Sequence, residues 1–306
     1  MMRHVLVVSY SQSGQLDRLV DSVTAPLQSN ETIRVDRLQL EMRRPFPFPW
    51  PFWRFFHIFP ETVRMQPQPL QPLQVDADIR YDLIILAYQV WFLSPSLPMT
   101  SFLATPEAGK LLHDTPVMTL VGCRNMWLMA QEKMKLRLQQ LGARLIDHVA
   151  LTDQCGMALS FLATPLWMFT GKQQPYRWLP RAGIAEEDIR AASRFGEALR
   201  KRLEYDPSPL QEPALRGLQA VRVDEKLIAS ERIGNRSFQV WSRLLTRLGP
   251  QDSHRRSFGL AVYILFLLCM IITVVPVVAV LKKLLQPLTR NRIARQKAAF
   301  AGPSGE

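Results

Sequence analysis

Cysteine is scarce in this chain: three in 306 residues, at 123, 155 and 269, and none forms a CxxC pair. That usage fits a reducing compartment. The five histidines, at 4, 57, 113, 148 and 254, are scattered. With no HExxH and no Cys/His cluster, no metal site is expected. A leader-like run is missing too. Arg3 and His4 precede a short apolar stretch that Tyr10, Ser11 and Gln12 end too soon for a signal peptide core. Residues 1–250 are therefore expected in the cytoplasm. The charged fraction is only 21%, against 47% hydrophobic. This balance excludes a disordered chain and a multi-span transporter, and it permits a sizeable core. The length allows about two domains, or one with attachments.

Positive charge is the first thing present in excess. Lys and Arg number 38 against 26 Asp and Glu, a net charge of +12. The surplus is concentrated late. Lys282, Lys283, Arg290, Arg292, Arg295 and Lys297 follow Asp252 with no acid until Glu306. A basic tail can serve nucleic acid or an anionic membrane. What precedes it decides: residues 258–281, FGLAVYILFLLCMIITVVPVVAVL, carry no charge. As a helix this stretch would reach about 36 Å, enough for a hydrocarbon core of roughly 30 Å. The tail 282–306 is accordingly read as a membrane-surface anchor, and no nucleic-acid partner is expected. Both flanks are basic, with Arg243, Arg247, Arg255 and Arg256 on the near side. A single span is preferred. Pro276 leaves open a re-entrant form with both ends on one side.

The first 205 residues alternate strand and helix. Strand patterns fall at 4–10, 32–38, 82–88, 117–121 and 144–151. Helical spacing runs from Leu16 to Val23, with Pro26 expected just after the helix, then over 126–141 and 184–203. This order predicts an α/β fold with a doubly wound, five-stranded parallel sheet. Such sheets bind ligands beyond the carboxyl ends of their strands.

Three strand-end loops then carry the chemistry. Ser11-Gln12-Ser13-Gly14-Gln15 offers hydroxyls, backbone N–H groups and a helix N-terminus to an anion, although a Ser/Gly turn can equally be only a cap. Tyr88, Gln89, Val90, Trp91, Phe92, Leu93 and Ser94 open a stiff, aromatic, proline-rich stretch. It either stacks a flat ring or covers the sheet end. Gly122, Cys123, Arg124 and Asn125 end the next strand.

Taken in order, these loops resemble the flavodoxin-like superfamily over about 1–205. The resemblance implies FMN as cofactor. Ser11, Gln12, Ser13, Gly14 and Gln15 would hold its phosphate, and 88–94 with 122–125 would flank its ring. Leu16 departs from the hydroxyl residue that many relatives carry. Arg124 near the ring's N1/O2 edge would favour two-electron chemistry; its other reading is a surface salt bridge.

An insertion at 43–75 sets the chain apart. Its stretch 45–60 holds eight of the 28 aromatics, with prolines at 45, 47, 49, 51 and 60. The alternating prolines predict an extended path. It is read either as a strap packed on the domain or as a lid for an apolar substrate. RPFPFPWPFWRFFHIFPETV, QVWFLSPSLPMTSFL and VGCRNMWLMAQEKMK together resemble a bacterial family labelled dialkylresorcinol condensing enzyme, associated with dialkylresorcinol and aryl-polyene lipids. A condensing step needs a cysteine nucleophile set among histidines, which neither Cys123 nor Cys155 has. The flavin fold suits the family's other role, oxidation of a dialkyl-cyclohexanedione to its resorcinol. That reaction needs a base near the ring, for which His57 and Tyr88 are candidates, with Arg124 as the third catalytic residue.

Residues 206–257 read as a linker carrying a basic amphipathic helix, lying on the membrane or packed on the domain. The chain is thus expected to be an FMN-dependent oxidoreductase with its catalytic domain in the cytoplasm, tethered to the bacterial inner membrane. It would act on a hydrophobic small molecule, in company with pigment- or lipid-biosynthesis enzymes. Two rivals are an NAD(P)H-dependent quinone or flavin reductase and a flavin-free membrane scaffold.

Overall fold

The computed structural model describes residues 2–205 and 210–305; the side chains of residues 157, 158 and 274–290 fall outside that description. The chain opens with strand β1 (Arg3–Ser9), helix α1 (Gln15–Gln28) and strand β2 (Ile33–Gln39). The insertion follows, with two short helices, α2 (Phe52–His57) and α3 (Phe59–Val63). Strand β3 (Leu83–Trp91) turns into the two-residue β4 (Ser94–Pro95), then come α4 (Leu97–Phe102) and α5 (Pro106–Leu112). The sheet continues with β5 (Pro116–Cys123), α6 (Leu128–Gln140) and β6 (Arg144–Thr152). Helices α7 (Gly156–Thr170), α8 (Glu186–Ala191), α9 (Ser193–Tyr205), α10 (Glu225–Arg247) and α11 (His254–Ala301) complete the chain.

The sheet order is β2-β1-β3-β5-β6, all parallel, with β4 pairing antiparallel to β3. Counting the parallel strands in chain order gives 2-1-3-4-5, the flavodoxin-like arrangement. The five expected strands are all present, each within a few residues of its pattern. Both faces of the sheet are covered, as a parallel sheet requires. Along β1, Val5 and Val7 join a core formed with α1 and α9, while Leu6 and Val8 join another formed with α4, α5 and α6.

Three local expectations change. Pro26 lies inside α1 rather than after it, its missing N–H falling late in the last turn. The helix over 184–203 is broken at Ala192 into α8 and α9. The insertion is extended only through Pro51. Residues 52–57 contain no proline and coil into α2, and Pro60 stands at the start of α3, where its missing N–H is harmless.

The part expected as a linker lies against the sheet. Leu210, Leu215 and Ala220 are buried in the first core, and the Ala150 N–H donates to the Ala220 carbonyl. The Asp147 carboxylate accepts the Ala214 and Leu215 N–H groups. Helix α10 packs Phe238, Trp241 and Leu245 inward against the insertion's Phe59 and against Tyr263.

Helix α11 includes one stretch, His254–Thr273, long and apolar enough to cross a membrane. Leu260 and Tyr263 are buried on the domain, whereas Phe258, Leu265 and Ile272 are 63–73% exposed. Arg256, 1% exposed, makes a two-point ion pair with Glu61 and donates to the His57 carbonyl. The far end also returns to the domain. Phe300 is buried in the second core, Lys297 pairs with Glu225, and the Ser304 hydroxyl donates to Asp147 while accepting the His148 N–H. Glu61 lies two residues from Val63, whose carbonyl takes Lys133 Nζ, and Lys135 Nζ donates to the Ala299 carbonyl. The greatest reach of those links keeps residues 256 and 299 within roughly 50 Å, whereas a straight helix would separate them by about 65 Å. Helix α11 is therefore bent. A span that carried 291–305 across a membrane would have to break these contacts, and the re-entrant form keeps them. The calls on Lys282, Lys283, Arg290 and on 274–281 of the apolar stretch lie outside the described side chains.

Candidate functional site

The carboxyl ends of β1, β3 and β5 meet where the strand order reverses, the usual ligand position in such a sheet. The loop after β1 leads into α1 through Gly14, whose φ of +77° is natural for glycine and whose Cβ position faces open space. Among the described residues, the backbone N–H groups of 11–17 donate no hydrogen bond. They sit at the positive end of a 14-residue helix. Two side chains expected to hold an anion are otherwise engaged. The Gln15 amide donates to the Ile184 carbonyl and accepts its N–H, 3.2 and 3.0 Å. Gln12 Nε2 donates to the Phe46 and Pro47 carbonyls, tying the insertion to this loop. The side chains of these glutamines brace neighbouring segments, and only their backbone N–H groups stay open to an anion. Ser11, Ser13 and the N–H groups remain. In the first turn of α1, burial raises the Asp17 pKa, an effect the Ser11 hydroxyl offsets.

The second loop is shorter than expected because β3 runs on to Trp91. Phe92 and Leu93, at φ +48° and +57°, make a tight turn into β4. Non-glycine residues in that region cost energy. Phe92 offsets it by packing on Phe55 and Phe59, and Leu93 by burial. Strand alternation then sorts the predicted ring contacts. Tyr88 and Val90 face the second core, away from the α1 loop. Gln89 and Trp91 have the opposite parity and face the α1 side. Gln89 pairs with Gly122 in register, and its buried Oε1 has no hydrogen-bond partner.

Tyr88 cannot act as a base there. It is fully buried, burial pushes its pKa up, and its hydroxyl donates to Gln131 Oε1 at 2.6 Å. Gln131 donates onward to Thr119, which meets His148 Nδ1 at 2.8 Å. This polar chain joins β3, α6, β5 and β6 inside the core. His57 is also displaced from the loops. It sits on α2 with Nε2 3.4 Å from the Ser257 hydroxyl of α11, beside Arg256 and Glu61. Burial lowers its pKa. Ser94 is buried and accepts Lys133 Nζ at 2.7 Å.

The third loop stays together. Gly122 is close-packed, since a Cβ there would lie 3.2 Å from Leu16 and 3.3 Å from Ile184. Cys123 is half-buried, and burial raises its thiol pKa, which removes a thiolate nucleophile. The Arg124 guanidinium stands 4.0 Å over the Phe161 ring of α7 and donates to Asn125 Oδ1. It has no ion-pair partner among the described residues.

The insertion closes this end of the sheet. Trp91 meets the rings of Tyr10, Phe46 and Trp50 edge to face, at 5.3–6.1 Å. Phe48 packs on Trp167, and the Trp50 N–H donates to the Met168 carbonyl. The insertion is thus strapped onto the domain at this end of the sheet. Sequence reasoning missed Glu231. It is fully buried on α10 and accepts the Met129 N–H at the start of α6, just past the third loop. Burial raises its pKa to about 7, and Oε1 has no partner. The available signal was its place on the stripe Ile228, Glu231, Asn235, Phe238, Ser242 and Leu245.

No protein-family model matches the chain, and no curated protein matches its sequence. Solved structures do. A flavoprotein in complex with FMN from Lactobacillus acidophilus is 14% identical, with 49% of this chain and 93% of that one covered, at a TM-score of 0.39. A WrbA-like flavodoxin from Agrobacterium tumefaciens is 11% identical, covering 65% and 96%, at 0.38. A flavone reductase is 9% identical, covering 69% and 66%, at 0.38.

Proposed function

We propose that the chain is a flavodoxin-like oxidoreductase that binds FMN and works on a hydrophobic cyclic substrate at a membrane surface. The observation that carries this reading is the α1 loop: unpaired N–H groups at 11–17, with an open Gly14, at the point where the strand order reverses. Those groups, with the Ser11 and Ser13 hydroxyls, would hold the phosphate. The orphaned Gln89 Oε1 would accept from the ring edge, and Trp91 and the third loop would bound the ring. Bound FMN would supply hydride transfer. Arg124, without a carboxylate partner, would offset negative charge developing beside it.

The substrate class follows from the walls. Aromatic rings from the insertion and Phe161 of α7 border the loops, and Phe52, Trp53, Leu159 and Leu162 are 44–50% exposed beside them. These surfaces suit an apolar ring with alkyl tails, such as a dialkyl-cyclohexanedione oxidised to a dialkylresorcinol or a related aryl-polyene lipid step. A membrane tether raises the local concentration of so insoluble a substrate. The placement we favour is re-entrant, with both ends of α11 on the domain's side of a bacterial inner membrane and the domain in the cytoplasm.

The test is the absorption spectrum of the full-length, detergent-purified protein, with the released cofactor identified by chromatography. FMN near one per chain is expected, and Gly14→Ala combined with Ser11→Ala should weaken it at least tenfold. Colourless protein that also fails to take up added FMN would sink the enzyme reading and favour a scaffold. Rapid reduction of the bound flavin by NADPH would move the assignment toward a quinone reductase.

A further inference from the structure

A cleft of about 300 Å³ lies away from the strand-end loops, bordered by Val63, Arg64, Met65, Lys133, Gln239 and Arg243. It joins the end of α3 to α6 and α10. Three of its six residues are cations, and none is an acid. Glu61, the nearest acid on α3, is committed to Arg256. Arg64 and Arg243 make no ion pair among the described residues, and Lys133 Nζ has only neutral partners, Ser94 Oγ and the Val63 carbonyl. Burial without a counter-charge brings the Lys133 pKa down to about 8. Gln239 Nε2 donates to the same carbonyl at 3.2 Å. Such a cleft is built for an anion with several acceptor oxygens.

The surface beside it identifies the source of that anion. On α10, Val240 and Leu244 are 63% and 46% exposed on either side of Arg243. A second, apolar groove of about 580 Å³ runs between α10 and α11, with Trp241, Leu244, Leu248, Phe258 and Val262 on its walls. Leu265, Leu268 and Ile272 continue this exposed band along α11. A soluble phosphate would account for the cations and leave the band unexplained. An anionic phospholipid accounts for both, because its headgroup and its chains are one molecule.

We propose that this cleft binds the phosphate headgroup of an anionic phospholipid while the acyl chains lie along the groove between α10 and α11. The site draws the domain flat against an anionic leaflet. Through Lys133 and Ser94, it also touches the turn that follows β3. The proposal rests on the membrane placement given above, and the experiment separates the two.

Full-length protein is floated with vesicles of phosphatidylcholine alone and with vesicles also containing phosphatidylglycerol. Recovery on phosphatidylcholine reads the apolar segment, and hence the membrane placement. The gain on adding phosphatidylglycerol reads the cleft. Arg64→Gln with Arg243→Gln should lose roughly fivefold of that gain per arginine, with phosphatidylcholine binding unchanged. Arg64→Lys with Arg243→Lys should retain most of it, which separates charge from misfolding. A glutamine pair that keeps the whole gain overturns the proposal. So does glycerol phosphate that abolishes the gain at matched ionic strength, since the cleft would then take a soluble phosphate. Failure on both kinds of vesicle overturns the membrane placement along with it.

Discussion

Glu231 shows how one side chain gathers conflicting demands. Its carboxylate is fully buried, and three N–H groups at the start of α6, those of residues 127, 128 and 129, favour its charged form. Desolvation is nevertheless the larger effect and lifts the pKa from 4.5 to about 7. A raised carboxyl pKa means the folded state binds more protons than the unfolded one across that window. Stability from this group is therefore lost as pH rises from 4.5 to about 7. His148 works in the opposite direction: burial lowers it to about 3, so its contribution grows with pH up to 6.5. The wild-type profile mixes the two, and a difference isolates Glu231. The stability of Glu231→Gln minus wild type should grow with pH through the window and level off above it. The total change is of order 3 kcal/mol or less. Urea unfolding at several pH values measures it; a difference that does not vary with pH would refute the assignment. Tyr88 shows the opposite outcome at this scale. Its identity suits a base, but strand parity turned it into the core, and a change of one position would have reversed that.

Helices α1 and α9 cross with no room to spare. A Cβ on Gly196 would sit 2.0 Å from the Val23 carbonyl oxygen, which is backbone and has little freedom to retreat. Gly196→Ala should therefore destabilise the fold by roughly 1–3 kcal/mol, even though alanine is the better helix former. Gly109 in α5 is the control, because its Cβ position meets nothing within 4 Å. Gly109→Ala should be neutral or stabilising by up to about 1 kcal/mol. Thermal unfolding of the two variants gives the comparison, and equal shifts would show that crowding at the crossing is unimportant. The elements themselves were largely legible. Strand patterns located β1, β3, β5 and β6 because each holds an apolar run with β-branched residues, whereas β2 carries that signal only in Ile33, Val35 and Leu38. The turn at Phe92 and Leu93 was not, since it lacks the glycine or asparagine that normally marks one.

At the scale of the whole molecule, the two ends of α11 dock on one body. Arg256 is held by Glu61, and Ser304 by Asp147. Both flanks of the apolar stretch should then face the same side of a sealed vesicle. Single cysteines placed at exposed positions, Gln251→Cys and Ala294→Cys, test this in a chain whose exposed Cys269 is changed to serine. A membrane-impermeant thiol reagent should label both from the same side. Labelling from opposite sides would establish a span and require 291–305 to leave the domain.

The sequence alone determined the class of fold, the positions of its strands along the chain and the presence of a long apolar segment after the α/β body. Those features depend on local periodicity and run length, which are properties of neighbouring residues. It also located the three loops at the strand ends. Tertiary structure decided which side chains those loops present. Gln12 and Gln15 went to the insertion and to Ile184, Tyr88 to the core, and His57 to α11. It likewise brought Glu231 to α6 and gathered Arg64, Lys133 and Arg243 from three helices. Such partners lie up to 200 positions apart in the chain. Their meeting depends on packing and desolvation, to which local pattern is blind.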